Sequence, residues 1–258
     1  MRKIQNILSL ILLSIILSSC GLSKVIYSTK KVEKLDKVAV ISSYIEFIPA
    51  TGLLYAGIMN GKINSISTEL NTMFKDYATL YRDSLSIFLS KNFNGKVLYG
   101  KSLQSNPGFI RLKSELNYPN VLATGRESFP EILQSSEDIN PFKSIDAFKR
   151  TKPDTALISQ NKKAIQKICK YLDVNYVVVS YSALAAVQGN AYVRGTVVLG
   201  TTFSLFDKDG DYIAWGYRGG GGTPISAGKI ENYTKILDSF FVITQPLVSE
   251  VVKKYSLN

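Results

Sequence analysis

Val38-Ala39-Val40-Ile41 is a continuous apolar run, the pattern of a strand covered on both faces. A Gly-containing apolar connection, Ile48 to Ile63, follows it. Ile66, Leu70, Phe74, Tyr77, Tyr81, Leu85 and Phe88 then recur at three- and four-residue intervals. That spacing predicts one face of a helix ending near Asn92, where Asn94-Gly95 breaks it before a short strand, Lys96 to Tyr99. Strand, helix and strand form a βαβ unit whose strands should run parallel through a right-handed crossover. Residues 102–158 interrupt the regularity with Pro107, Pro119, Pro130, Pro141 and Pro153 among charges that cancel, and read as an insertion carrying short helices. Beyond it, Ile165, Ile168, Cys169 and Leu172 mark a second helix face.

The remaining pattern is mostly of strand type. Tyr176 to Ala185, dominated by Val177-Val178-Val179, predicts a strand, and a longer one follows. In that second strand Val193, Val197, Leu199, Phe203 and Leu205 share one parity, and Arg194, Thr196, Thr202 and Ser204 the other. Asp207-Lys208-Asp209-Gly210-Asp211 should turn the chain into Tyr212 to Tyr217 as an antiparallel hairpin. Ile230 to Tyr255 is helical in period, with a kink expected at Pro246. The expected class is therefore α/β (α+β), a mixed sheet flanked by helices in the order strand, helix, strand, insertion, helix, strand, strand, strand, helix.

Composition removes several chemistries. The 258 residues include no His and two Cys. No Ser-His-Asp or Cys-His unit, histidine-ligated zinc or haem, iron–sulfur cluster or four-cysteine zinc site can be built from that set. We expect no metal and no cofactor. Hydrophobic residues at 45 % and charged residues at 20 % fit a globular domain.

The amino end carries an address. Arg2 and Lys3 precede an apolar stretch, Ile7 to Leu17, whose eleven residues would cover about 17 Å as a helix, against roughly 30 Å of bilayer hydrocarbon. The stretch ends in Leu17-Ser18-Ser19-Cys20-Gly21, which resembles the lipobox of bacterial lipoproteins. The resemblance implies recognition of Leu17, Ser18, Ser19 and Gly21 by the signal peptidase, lipidation of Cys20, and removal of residues 1–19. It implies an anchor of two or three acyl chains, such as palmitate. Gly21 in place of Asp implies outer-membrane sorting, and the lack of an acidic run after the cysteine favours the periplasmic face. Residues 20–36 read as a lipidated tether and 37–258 as a single domain with the insertion at 102–158.

With Cys20 acylated, Cys169 is the one remaining thiol, and its place on an apolar helix face marks it as a buried small hydrophobe. Cleavage lowers the formal charge from +11 to +9. The densest basic cluster, Lys162, Lys163, Lys167 and Lys170, lies opposite Ile165, Ile168 and Leu172, where a solvated face competes with a polyanion contact.

The run from Lys37 to Tyr255, with the helix-then-strand Ile165 to Tyr181 and the hairpin Phe203 to Trp215, resembles the α/β domain of the TolB N-terminal region, the curli-secretion lipoprotein and the peptidoglycan-synthase activator lipoproteins. That resemblance implies binding of other proteins rather than chemistry. The insertion departs from it, and with no second long alternating hairpin a pore is not expected.

Other motifs carry little. Asp207 to Asp211 superficially matches a calcium loop, but Gly210 is fourth where an EF-hand needs glycine sixth, and position twelve is Arg218 instead of Glu. Gly219 to Gly222 lacks the Lys-Ser/Thr of a phosphate loop. Ser-x-x-Lys occurs at Ser28, Ser159 and Ser226, as often as the roughly 2.6 matches expected by chance. The expectation is a non-catalytic, lipid-anchored envelope lipoprotein that binds membrane lipid through Cys20 and an envelope protein or itself, with no nucleic-acid partner. The alternative is a peptidoglycan- or glycan-binding or hydrolysing enzyme using carboxylates.

Overall fold

A computed structural model describes residues 23–32, 35–48, 65–93, 95–118, 135, 137–191, 194–220, 223–226 and 230–256. Their strands are β1 (Ser23–Tyr27), β2 (Lys37–Ile48), β3 (Lys96–Leu98), β4 (Tyr176–Ala191), β5 (Arg194–Asp207), β6 (Tyr212–Gly219) and β7 (Thr223–Ser226). Their helices are α1 (Ser67–Asn92), α2 (Gly100–Gln104), α3 (Pro107–Glu115), α4 (Thr155–Leu172) and α5 (Ile230–Ser256), with a 3-10 turn at Asp146–Lys149. The seven strands form one mixed sheet in the order β1-β6-β5-β4-β2-β3, with β7 added to β5. The α/β class expected from the pattern is the one observed, and β2 pairs in parallel with both β3 and β4.

The sheet is buried on both faces. On one, Val38, Val40, Phe47, Val178, Phe203 and Leu205 meet Leu70, Phe74 and Leu85 of α1 and Leu237, Leu247 and Val251 of α5. On the other, Ala39, Ile41, Val177, Val179, Phe206 and Trp215 meet Phe109 and Leu112 of α3, Ile165, Ile168 and Leu172 of α4, and Phe142 and Phe148 between them. A register shift between Val40 and Ser42 makes Ile41 the extra residue of a bulge. Ile41 and Ser42 both serve the second face, where the Ser42 hydroxyl donates to the Ile139 carbonyl at 2.9 Å.

Local chemistry sets the helix ends. Asp154 caps α4 by accepting from the amides of Ala156 and Leu157, and Asp173 closes it in the left-handed region at φ 52. Asn106 caps α3, with Pro107 at the first helical position. Gly108 is needed there for a different reason: a Cβ would lie 1.8 Å from the Tyr171 carbonyl oxygen.

Three expectations are corrected. The stretch read as a tether holds β1, because Val25 and Tyr27 pack against the first core while Lys24 stays exposed on this edge strand. β4 continues past Ala185 to Ala191 because β5 extends alongside it. Thr202 and Ser204, polar by parity, are buried, and Thr202 donates to the Phe148 carbonyl at 2.6 Å. The α5 helix runs unbroken through Pro246, as the single helical period from Ile230 to Tyr255 predicts, and the proline's missing amide falls on the solvent side beside Val242, 67 % exposed.

Candidate functional site

Leu17, Ser18, Ser19, Cys20 and Gly21 lie outside the described residues, as does the apolar connection after Ile48. Among the described residues no helix is long and apolar enough to cross a membrane. The lysine cluster of α4 is brought together as the helical spacing requires, but its charges are used unequally. Lys162 reaches Asp211 at 2.8 Å, and Lys167 reaches Glu115 at 2.7 Å. Lys167, then Arg111 and the Tyr171 hydroxyl, hold the Glu115 carboxyl well below the usual carboxylate range. Lys163 and Lys170 are exposed. A polyanion would meet two free ammonium groups there, flanked by two already paired.

The turn after β5 shows what its acids do. The Asp207 carboxylate accepts from the amides of Asp209 and Asp211, and Gly210 sits at φ 81 with its amide on the Asp207 carbonyl. The Lys30 ammonium is held by Asp207, by Asp209 at 2.8 Å and by Asp211 at 3.4 Å. Hydrogen bonds to Asp207 and Asp209 raise the Lys30 pKa. The turn docks on α4, where Gln166 donates to the Asp209 carbonyl at 2.8 Å. An ammonium therefore sits where the sequence superficially matches a calcium loop. Among the described residues no group of three His, Cys, Asp or Glu is arranged for a metal.

Beside this turn is a half-open cavity of about 300 Å³ lined by Lys30, Asp36, Asn175, Tyr176, Asp207 and Lys208, among others. Asp36 accepts from the Asn175 amide and the Lys37 backbone, both at 2.7 Å, and the first of these lowers its pKa most. The cavity lies at the amino ends of β2 and β4, whereas parallel sheets usually bind ligands at the carboxyl ends.

Two buried polar clusters lie elsewhere, and neither was singled out from the sequence. Glu46 of β2 accepts from the Tyr181 hydroxyl and pairs with Lys149 at 3.0 Å. Burial, with Glu46 adding to it, raises the Tyr181 pKa, so the phenol stays protonated. The second cluster joins α1 to residues 135–138. Arg82, 1 % exposed, binds Asp138, Glu137 at 2.9 Å and Asp83 at 2.8 Å, while Ser135 accepts from it at 3.2 Å. One oxygen of Asp138, Oδ2, is buried without a partner. Both are ion-paired struts between elements. The only sequence signal for them was charge placed inside otherwise apolar periods.

No family model and no curated protein matches this chain. Among solved structures, the chain is similar to a PelC dodecamer from Paraburkholderia phytofirmans at 13 % identity, covering 88 % of this chain and 96 % of that one, with a TM-score of 0.28. A point variant of that dodecamer superposes at 14 % identity, the same coverage and a TM-score of 0.30. A likeness of this degree carries no argument about fold or function.

Cys169 offers little chemistry. Burial pushes its thiol up to about 12, helped by the charges of Asp207 and Asp209. Because the thiolate is the reactive species, native protein should react with a disulfide reagent at least about a hundredfold slower at pH 8 than denatured protein. Stopped-flow absorbance with and without denaturant measures that ratio.

Proposed function

We propose that this chain is a lipid-anchored, non-catalytic protein of the bacterial cell envelope, whose α/β domain binds a protein partner or assembles with itself at the periplasmic face of the outer membrane. The observation that carries the proposal is the order of the chain at its amino end. Just two residues, Gly21 and Leu22, separate the lipobox cysteine from a strand built into the sheet. Strand β1 is held by two elements: it pairs with β6, and from α5 the Tyr255 ring meets Tyr27 edge-on at 6.0 Å while Lys254 lies 3.6 Å from the centre of the Tyr27 ring. An acyl group on Cys20 would thus hold the domain directly against the leaflet. Each buried methylene contributes about 0.8 kcal/mol, so two or three chains make such an anchor effectively permanent.

Replacing Cys20 with Ser tests this. The variant should move from the membrane pellet to the soluble periplasmic fraction, with about a tenth or less left behind, while mass spectrometry of the wild-type amino terminus shows an acylated cysteine. Recovery of the variant in membranes at wild-type level overturns the proposal. Affinity isolation after mild envelope cross-linking then separates a foreign partner from a second copy.

A further inference from the structure

The ladder of the sheet places the anchor and the longest hairpin at the same end of the molecule. Ser23 pairs with Arg218, Arg218 with Thr201, Thr201 with Ser182, and Ser182 with Ile45. Because β1 and β5 both run antiparallel to β6, the chain before Ser23 and the chain before Thr201 leave this level in the same direction. Three residue steps separate Ser23 from Cys20, a reach of about 11 Å at most. The β4–β5 hairpin stays paired far beyond that: β5 continues seven residues, from Thr201 back to Arg194, or about 23 Å at the rise of a strand. Of its neighbours, β2 is described as far as Ile48, opposite Ala185, and β6 ends at Gly219, opposite Gly200. Among the described residues, only the short β7 accompanies the rest.

Charge divides the molecule the same way. Residues 183–200 hold a single charged residue, Arg194, where the 20 % average of the chain would place about three or four. The opposite end of the sheet carries Lys30, Asp36, Asp207, Lys208, Asp209 and Asp211. Ile48, the last described residue of β2 and at the hairpin end, is 39 % exposed.

We propose that the β4–β5 hairpin is a lipid-contacting arm, pressed against or into the leaflet that holds the Cys20 acyl chains. The inference rests on the anchoring proposed above. The arm outreaches the anchor. An upright body drives the far ends of β4 and β5 among the headgroups, a tilted one lays them along the surface, and the near-neutral composition of the arm suits both. The charged end, with the cavity beside Lys30, then faces the periplasm, where a partner can reach it. Cys20 can lie no more than about 11 Å beyond Ser23, and the arm extends about 23 Å beyond the same level, so a leaflet that holds the acyl chains is the occupant this geometry favours.

Environment-sensitive fluorophores on single cysteines test this in the mature, acylated protein. Cys169→Ala removes the native thiol, and Asn190→Cys on the arm is compared with Lys208→Cys at the opposite end. Both proteins are reconstituted into vesicles of phosphatidylethanolamine and phosphatidylglycerol containing a nitroxide lipid, and flotation reports the anchor independently. The expected result is a blue-shifted probe at 190, quenched by the nitroxide lipid at least threefold more than the probe at 208. Equal quenching at the two positions in floating protein overturns the inference and leaves the anchor intact. So does a probe at 190 that is shielded from lipid and cross-links between copies, which would make the arm an assembly element. Protein that fails to float removes both the anchor and the arm.

Discussion

Replacing Arg82 with Met lowers the stability of the domain by about 3–5 kcal/mol, the usual cost of stranding one member of a buried ion pair. Arg82 and Asp138 both have side chains 1 % exposed, and Asp138 already has one oxygen without a partner, so removal of the guanidinium leaves a carboxylate with nothing to bind it. The loss also depends on pH. Burial pushes the Asp138 carboxyl up to about 7; Arg82 opposes this, and the neighbouring Asp83 and Glu137 reinforce it. A folded value above the unfolded one, about 3.9, means the folded state holds the proton more tightly between those limits. The stabilisation from Asp138 is therefore complete below about pH 4 and is lost as pH rises through 7. Without Arg82 the window extends further upward. Denaturant midpoints of the Cys20→Ser form, with and without Arg82→Met, should differ more at pH 8 than at pH 5. An equal difference at both would show that Asp138 is not the group left stranded.

Phe148→Ala should cost a similar amount, about 3–5 kcal/mol, by opening a cavity in the second core. Phe148 is fully buried on the 3-10 turn and meets Phe142 at 4.9 Å, Phe206 at 6.0 Å, Tyr44 at 6.4 Å and Trp215 at 6.5 Å between ring centroids. Its own carbonyl accepts from Thr202, so one residue both fills the space and ties the turn to β5. Trp215 lies in this cluster, and its fluorescence should report the loosening along with the fall in denaturation midpoint. A midpoint within about 1 kcal/mol of wild type would mean that the turn collapses to fill the gap. Arg82 and Phe148 hold two ends of one segment, residues 135–150, so the double variant should lose less than the sum of the two.

The elements whose apolar residues follow one clear period were legible in the sequence: α1 and α4 through their helical stripes, β2 and β4 through continuous Val and Ile runs. The Asp207–Asp211 turn was legible from its glycine and acids, and the parallel pairing of β2 with β3 followed from the helix between them. What escaped were features decided by distant neighbours. Strand β1 looked like part of a polar tether because its short apolar run, Val25 to Tyr27, lies between Lys24 on one side and Lys30, Lys31 and Lys34 on the other, and it is held as a strand by β6 beside it. Strand β7 holds four residues including Pro224, acceptable on an edge and invisible to a propensity argument. The buried hydroxyls Ser43, Ser180, Ser182 and Thr201 read as interruptions of apolar strands, yet Ser180 donates to Ser43 at 2.8 Å, and Ser182 and Thr201 share a hydrogen bond of 3.0 Å. Arg82 sits within the helical period of α1, and its role depends on acids more than fifty residues away.

The pairing of Ser23 with Arg218 joins positions nearly two hundred residues apart. A chain exported in extended form delivers β1 first and β6 almost last, so the first strand waits through most of translocation without its neighbour. During that interval Val25, Ile26 and Tyr27 are open to capture by a periplasmic chaperone or by another nascent chain. Under the anchoring proposed above, acylation of Cys20 would hold this vulnerable end at the site of export until the rest arrives, and would make lipid transfer an early step of maturation and closure of the sheet one of the last.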